Sequence, residues 1–410
     1  MSITLAQAKE KLQKYHQEHV LKYYDELSPA GQAALLEQIA GSDMDILDSC
    51  RHQEELLERG VITPLAAMEL PEIEANREAF TATGIQAIQA GKVGAVLLAG
   101  GMGTRLGSDA PKGVYNIGVT RELYIFECLI NNLLEVVRQT DAWIHLFVMT
   151  SDKNHEATEK FLTEHEFFGY KAEYVHFFRQ KMALAVDYEG KVYLEEKGKM
   201  ASSPNGNGGW FVSMEEAGLV DLIHAEGIEW LNAFAVDNVL QRIADPCFVG
   251  ATIRKECVAG AKVVGKVTPD EKVGAICLED GRPSIVEYYD MTQELMDARD
   301  AQGKPAYHFG VILNYLFNVK ELERIVSRSL PLHVVEKKIP YLNESGEPVK
   351  PQAPNGYKFE NLILDMIHQM GSCLPYEVVR EKEFAPIKNR TGIDSVESAR
   401  QLLKRNGVVL

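Results

Sequence analysis

The stretch Val93-Gly94-Ala95-Val96-Leu97-Leu98 is an apolar run that breaks into Ala99-Gly100-Gly101-Met102-Gly103-Thr104-Arg105-Leu106-Gly107, with Pro111-Lys112-Gly113 just beyond. A short apolar run of this kind, ended by glycines, reads as a strand buried on both faces. Four glycines within eight residues past its carboxyl end let the backbone approach a ligand closely and aim several N–H groups at one anion. The bend therefore reads as a phosphate cradle. It is not a dinucleotide fingerprint, because the third glycine of that pattern would fall on Leu106. Nor is it a Walker A loop, since Ser108 and Asp109 follow Gly107 where Lys and Ser/Thr are required. What this bend has is Arg105 within it and Lys112 just after it, two fixed cations beside the cradle.

Outward from the bend, apolar runs alternate with amphipathic stretches: a helix over 123–137, a strand over 144–149, a helix over 156–164 and a strand over 174–178. This order predicts right-handed βαβ units and a parallel sheet covered on both faces. Further strands are expected over 233–236, 262–267, 273–278 and 284–288. Short turns such as Glu279-Asp280-Gly281 join the last of these, so part of the sheet should be antiparallel. Residues 1–90 carry helical periodicity with no strand signal, broken at Ser28-Pro29, Gly41-Ser42-Asp43, Gly60 and Pro64, with Ser42 or Asp43 as an N-cap. They are expected to form an all-helical domain. A central nucleotide-binding catalytic domain follows over 91–330, then a C-terminal segment over 331–410 with helices near 360–370 and 396–405.

The chain has 410 residues, 46% of them hydrophobic and 25% charged, and this profile fits a folded globular protein of two or three domains. Its formal net charge of −16 repels nucleic acids and anionic membrane surfaces, so neither is an expected partner. An anionic small molecule has to be captured by a local cluster of donors and cations. The six cysteines are scattered without zinc-ligand spacing, and they read as small buried hydrophobes in a reducing compartment. With no signal-peptide pattern and no apolar run approaching the roughly 20 residues of a membrane span, a cytoplasmic location is expected.

The segment L-x-x-G-G-x-G-T-R-L-G with P-K-G-x-Y after it resembles the signature of the UDP-sugar pyrophosphorylases, and further stretches match the UDP-N-acetylhexosamine pyrophosphorylase branch. These are Met149-Thr150-Ser151, Gly198-Lys199-Met200, Pro204-Asn205-Gly206-Asn207-Gly208-Gly209, Val236-Asp237-Asn238, Val286-Glu287-Tyr288, Lys338-Ile339-Pro340-Tyr341, Pro354-Asn355-Gly356 and Phe384-Ala385-Pro386-Ile387-Lys388-Asn389. The resemblance covers roughly residues 10 to 400. It implies a Rossmann-like, GT-A-like nucleotidyltransferase fold: an α/β protein with a mixed sheet flanked by helices, a helical N-terminal domain, and a short C-terminal segment that contributes to the sugar-phosphate site. The implied reaction joins UTP to a sugar 1-phosphate with release of pyrophosphate.

By the same resemblance, Arg105, Lys112 and Lys388 are the catalytic cations, with Lys388 on the sugar phosphate. Leu98, Ala99, Gly100, Gly101, Gly103, Thr104, Gln180, Gly206 and Asn207 bind the nucleotide. Asn207, Asp237, Glu287 and Tyr288 line the sugar site, and Asp237 holds Mg²⁺ on the triphosphate. Like charges about 4 Å apart repel by about 4 kcal/mol at an effective dielectric of 20, roughly a thousandfold in rate. Cations and a divalent metal are what such a reaction needs, and it needs no enzyme nucleophile.

The match departs from the branch at three places. Val311 stands where the branch has an asparagine against the sugar, Leu362 and Leu364 stand where it has aromatics, and Arg121-Glu122-Leu123-Tyr124 lacks a lysine that often follows the signature. The chain also ends soon after Lys388, where eukaryotic relatives continue into a β-rich domain, which implies a compact version. N-acetylglucosamine 1-phosphate is the expected sugar substrate, with glucose 1-phosphate or galactose 1-phosphate as alternatives. A non-catalytic sugar-nucleotide sensor is the reading from another class, and the joint presence of Arg105, Lys112, Asp237 and Lys388 argues against it. An NAD-dependent oxidoreductase fails at Leu106.

Overall fold

A computed structural model describes residues 3–50, 59–326 and 330–410. The chain divides into two compact units, each built from three separate segments.

The larger unit comprises Arg59–Gln180, Trp210–Ser329 and Leu364–Leu410. Its centre is a ten-stranded mixed sheet whose main path runs Ile62–Pro64, Ala275–Glu279, Phe309–Asn318, Trp230–Ala235, Val93–Leu98, Leu146–Thr150 and Val175–Arg179. Val93–Leu98 is buried at every position and pairs in parallel with Leu146–Thr150 on one side and Trp230–Ala235 on the other. The register sets Leu98 beside both Met149 and Ala235, and Thr150 beside Arg179. The carboxyl ends of four adjacent parallel strands therefore finish at one edge, which is where ligands bind in open α/β sheets. Helix Ile125–Thr140 covers the sheet with the apolar face anticipated from its periodicity, burying Phe126, Leu129, Leu133 and Val136.

Residues 59–90 belong to this unit rather than to the helical leader. Helix Leu70–Gln89 packs on helix Pro246–Arg254 at mutual glycines: a Cβ at Gly84 would strike the Pro246 carbonyl, and one at Gly250 would strike the Phe80 carbonyl. Contact this close is possible only without side chains. The expectation that residues 1–90 hold no strand is corrected as well. Ile62–Pro64 forms an edge strand antiparallel to Ala275–Glu279, in a run too short and too proline-limited to show alternation.

The smaller unit comprises Met1–Glu58, Lys181–Gly209 and Leu330–Ile363. Helices Leu5–Lys14, capped by Thr4, and Pro29–Gly41, capped by Ser28 with proline at its first turn, confirm the helical reading of the leader. Ser42, however, ends the second helix instead of starting a third, and Asp43 accepts from the Asp45 N–H at the start of a 3₁₀ turn. Leu12, Leu35 and Ile39 share a core with Leu184, Val186 and Phe359. The last three lie on a sheet ordered His333–Lys337, Gly356–Glu360, Met182–Val186 and Ser202–Pro204, which the sequence pattern did not reveal.

Cys128, Cys247, Cys277 and Cys373 are buried free thiols and Cys257 is half-buried, while Cys50 lies outside the residues whose side chains are described. Among the described residues no helix is long and apolar enough to cross a membrane.

Candidate active site

At the carboxyl edge of the parallel strands the glycine-rich bend folds back on itself. The Gly103 N–H donates to the Ala110 carbonyl (2.9 Å) and the Lys112 N–H to the Gly101 carbonyl (3.1 Å), which fixes Lys112 beside the start of the bend. Thr104–Leu106 then makes a single 3₁₀ turn. Among the described residues, no protein acceptor takes the amide N–H of Gly100, Gly101, Thr104 or Arg105. These donors are what the cradle reading requires.

The carbonyls of the bend are held from behind. Asn154 is completely buried, and its amide donates to the Ala99 (2.8 Å) and Gly101 (3.2 Å) carbonyls, while the Ser151 hydroxyl donates to the Gly100 carbonyl (2.8 Å). The Ser151 N–H in turn donates to the Asn154 side-chain carbonyl at 2.7 Å. Because a trans peptide points its N–H opposite its carbonyl, the hold on the Ala99 and Gly100 carbonyls turns the Gly100 and Gly101 N–H groups to the other side. Gln180 continues the edge: its N–H donates to the Thr150 carbonyl (2.7 Å), and its side-chain oxygen lies 2.5 Å from where a Gly100 Cβ would be. A side chain at position 100 would therefore have to push the Gln180 amide aside.

Asp237 lies two residues beyond strand Trp230–Ala235, and its carboxylate stands 3.6 Å from the Lys112 ammonium. Both are mostly enclosed, with 16% of the Lys112 side chain and 23% of the Asp237 side chain exposed. Burial lowers the Lys112 pKa; Asp237 pulls it back up, and Lys388 and Arg105 push it further down. Lys112 therefore lies close enough to two further cations, Lys388 and Arg105, to feel both beside its carboxylate partner. Segment 385–388 runs alongside the Asp237 turn: Asn238 bridges to Pro386, and the Ile387 N–H donates to the Asp237 carbonyl (2.9 Å). The Lys388 ammonium is 3.5 Å from Asp394.

Glu287 and Tyr288 fall just past the end of strand Arg282–Val286, not within it as anticipated. Burial raises the Glu287 pKa, Asp290 adds to the rise, and Lys388 opposes it. Glu287 and Val311 both approach the empty side of Gly274, so the residue that departs from the N-acetylhexosamine pattern sits beside the expected sugar ligand. Tyr288 is 42% exposed and stacks edge-on against Tyr289.

The larger unit therefore brings Leu98, Ala99, Gly100, Gly101, Gly103, Thr104, Arg105, Lys112, Gln180, Asp237 and Lys388 to one sheet edge, with Glu287 near Lys388. Gly206 and Asn207 belong to the smaller unit. There, Asn361 pins their turn, accepting from the Gly208 N–H (2.8 Å) and donating to the Asn205 carbonyl (2.6 Å), and the Asn207 side chain accepts from the Ile363 N–H (3.0 Å). Sequence reasoning missed Asn154. Its only trace is an asparagine three residues after the strand-end pair Thr150-Ser151, a position suited to closing a side-chain turn.

Among the described residues no cluster of three or more His, Cys, Asp or Glu is arranged to hold a metal. A lone enclosed carboxylate such as Asp237 nevertheless fits a hard divalent ion, because Mg²⁺ takes one or two carboxylates and completes its shell with phosphate oxygens and water.

The family model of UTP–glucose-1-phosphate uridylyltransferase matches residues 46–409 of this chain. UDP-N-acetylhexosamine pyrophosphorylase-like protein 1 of Homo sapiens is 35% identical, with 96% of this chain and 82% of that protein covered. UDP-N-acetylglucosamine diphosphorylase 2 of Arabidopsis thaliana is 34% identical, with 97% and 82% covered. A solved uridine diphosphate N-acetylglucosamine pyrophosphorylase of Trypanosoma brucei, in complex with an inhibitor, superposes with a TM-score of 0.83 at 26% identity, over 98% of this chain and 85% of that one. With a glycine-rich bend at a parallel sheet edge and a family match across most of its length, the chain belongs to the UTP–glucose-1-phosphate uridylyltransferase family, the UDP-sugar pyrophosphorylases.

Proposed function

We propose that this chain joins UTP to N-acetylglucosamine 1-phosphate, giving UDP-N-acetylglucosamine and pyrophosphate. An oxygen of the sugar phosphate attacks the α-phosphorus of UTP in line; the bond from that phosphorus to the β-phosphate bridging oxygen breaks, and pyrophosphate leaves. The observation that carries the reading is the meeting of Lys112, Asp237, Lys388 and Arg105 beside the N–H groups of the glycine-rich bend. Relatives bearing N-acetylhexosamine or N-acetylglucosamine in their names support the choice of sugar.

Each group has a task in this scheme. The N–H groups of Gly100, Gly101, Thr104 and Arg105 take phosphate oxygens, and the Arg105 guanidinium neutralises the leaving pyrophosphate. Lys112 binds the α-phosphate as charge builds there. Lys388 receives the phosphate of the sugar, and Glu287 with Tyr288 receives its hydroxyls. Leu98 and Ala99 set the height of this edge, their backbone groups bonded to Val236, Met149 and Asn154, and Gln180 offers its side-chain amide to the uracil edge. Asp237 would hold Mg²⁺, which when bound neutralises charge on the phosphates.

A coupled pyrophosphate assay over N-acetylglucosamine, N-acetylgalactosamine, glucose and galactose 1-phosphates tests the proposal. The first substrate should be used with the highest kcat/KM, and chelation of divalent ions should abolish turnover. A preference for glucose 1-phosphate would instead mark Val311 as having changed the sugar, and no pyrophosphate from any of the four would refute the assignment.

The support behind the bend can be tested separately. Asn154→Asp replaces a buried donor by a buried charge aimed at two carbonyls. Affinity for UTP should fall at least about tenfold and stability by about 1–3 kcal/mol, readable by calorimetry and thermal melts. An unchanged UTP affinity would show that Asn154 does not shape the cradle.

A further inference from the structure

The assignment of Lys388 to the sugar phosphate raises the question of what fixes its distance from Asp237. Strand Ala259–Gly265 is buried almost throughout yet carries a lysine. Lys262 is completely buried, and its ammonium donates to Glu383 (2.6 Å), the Arg242 carbonyl (3.0 Å) and Asp245 (3.2 Å). These partners come from two segments. Arg242 and Asp245 belong to the turn that follows Asp237, whereas Glu383 opens the segment that ends at Lys388.

Stability alone is a weak reason for such a group, because apolar residues of similar volume in place of a buried ion cluster are often neutral or stabilising. Geometry is a better one. The turn carrying Asp237 has its own anchors on the sheet: the Gln241 amide donates to the Ala235 carbonyl (2.7 Å), and the Asn232 side chain accepts from the Ala244 N–H (2.7 Å). Segment 383–388 is joined to that turn through Asn238, which donates to the Glu383 carbonyl (2.8 Å) and accepts from the Ala385 N–H (2.9 Å), and through the Glu383 side chain. Ile387 and Asn238 tie the middle of the segment to the turn directly, so losing the cluster should loosen its Glu383 end and tilt Lys388 while leaving Asp237 and the glycine-rich bend in place.

We propose that Lys262, together with Asp245 and Glu383, is a positioning group for the transfer reaction, clamping the segment that carries Lys388 to the turn that carries Asp237 so that the two phosphates meet at a fixed spacing. The proposal rests on the functional reading above. It predicts that the cluster acts through Lys388, which a double-mutant cycle on the full-length chain can measure. Lys262→Met alone should lower kcat/KM for the sugar 1-phosphate about ten- to a hundredfold, as expected for a displacement of about 1 Å. Glu383→Gln, which keeps the side-chain shape, should lower it severalfold. In a Lys388→Ala background each change should cost less than about twofold, and UTP affinity measured without sugar phosphate should stay within about twofold of the parent.

A purely structural role would lower the melting temperature, with equal fractional losses in both backgrounds, and that result would overturn the proposal. So would the absence of any loss in Glu383→Gln, which keeps the test available if Lys262→Met fails to fold. An inactive wild-type chain with all four hexose 1-phosphates would instead strike at the functional reading itself.

Discussion

Lys112→Met should lower pyrophosphate release by about a thousandfold while the protein still melts cooperatively near the wild-type temperature. The size follows from the charge it removes: at an effective dielectric of about 20, two charges about 4 Å apart interact by about 4 kcal/mol, and about 1.4 kcal/mol is a factor of ten in rate. Methionine keeps most of the apolar stem and its packing. Folding is expected to survive because the Asp237 carboxylate left behind is 23% exposed and still has Lys388 and Arg105 nearby, so it is not stranded as an uncompensated buried charge. Arg105→Ala should also lower turnover, and with even less effect on melting, since Arg105 is exposed. Steady-state kinetics alongside thermal melts separates the two effects. Wild-type turnover in the Lys112 variant would remove the central group from the mechanism.

The nucleotide edge of the site was legible because its residues are adjacent in sequence to strand ends. Once Val93–Leu98, Leu146–Thr150 and Val175–Arg179 are parallel neighbours, the bend after the first, Ser151 after the second and Gln180 after the third must lie together. The antiparallel half was harder. Phe309–Asn318, the longest strand of the sheet, is a nearly continuous apolar run without period-two alternation, and Leu313 sits at a positive φ of 53° that interrupts its regularity. Ala259-Gly260-Ala261 opens another strand with small residues of low strand propensity, a choice enforced by the Phe248 ring and the Thr252 hydroxyl pressing against Gly260. The sheet of the smaller unit was invisible for a different reason. It pairs segments about 170 residues apart, Tyr357 with Val186, and no local pattern encodes such a pairing. Lys262 did leave a trace, a charge inside an apolar strand, but its partners Asp245 and Glu383 are too distant in sequence to be linked to it without the fold.

Asp237→Asn should reduce turnover by about a hundred- to a thousandfold and also change its pH dependence. The two effects have separate origins. The first is the loss of the carboxylate proposed to hold the metal. The second concerns Lys112, whose charged form is the useful one. Burial sets its pKa below the ordinary lysine value, so kcat/KM should fall as pH rises through that lowered pKa, earlier than for a free lysine. Asp237 is the group that raises the Lys112 pKa; Lys388 and Arg105 both lower it. Asparagine at 237 removes the charge that raises the Lys112 pKa and leaves Lys112 under the influence of the two cations that lower it, so the residual activity of the variant should be lost at a lower pH than in the wild type. The profile of kcat/KM reports the free enzyme, in which no bound phosphate offsets the change. An alkaline limb that stays in place or moves upward in Asp237→Asn would show that the limb belongs to another group. Lys112→Arg provides the control, because a guanidinium does not titrate in this range and the limb should vanish from whatever activity remains.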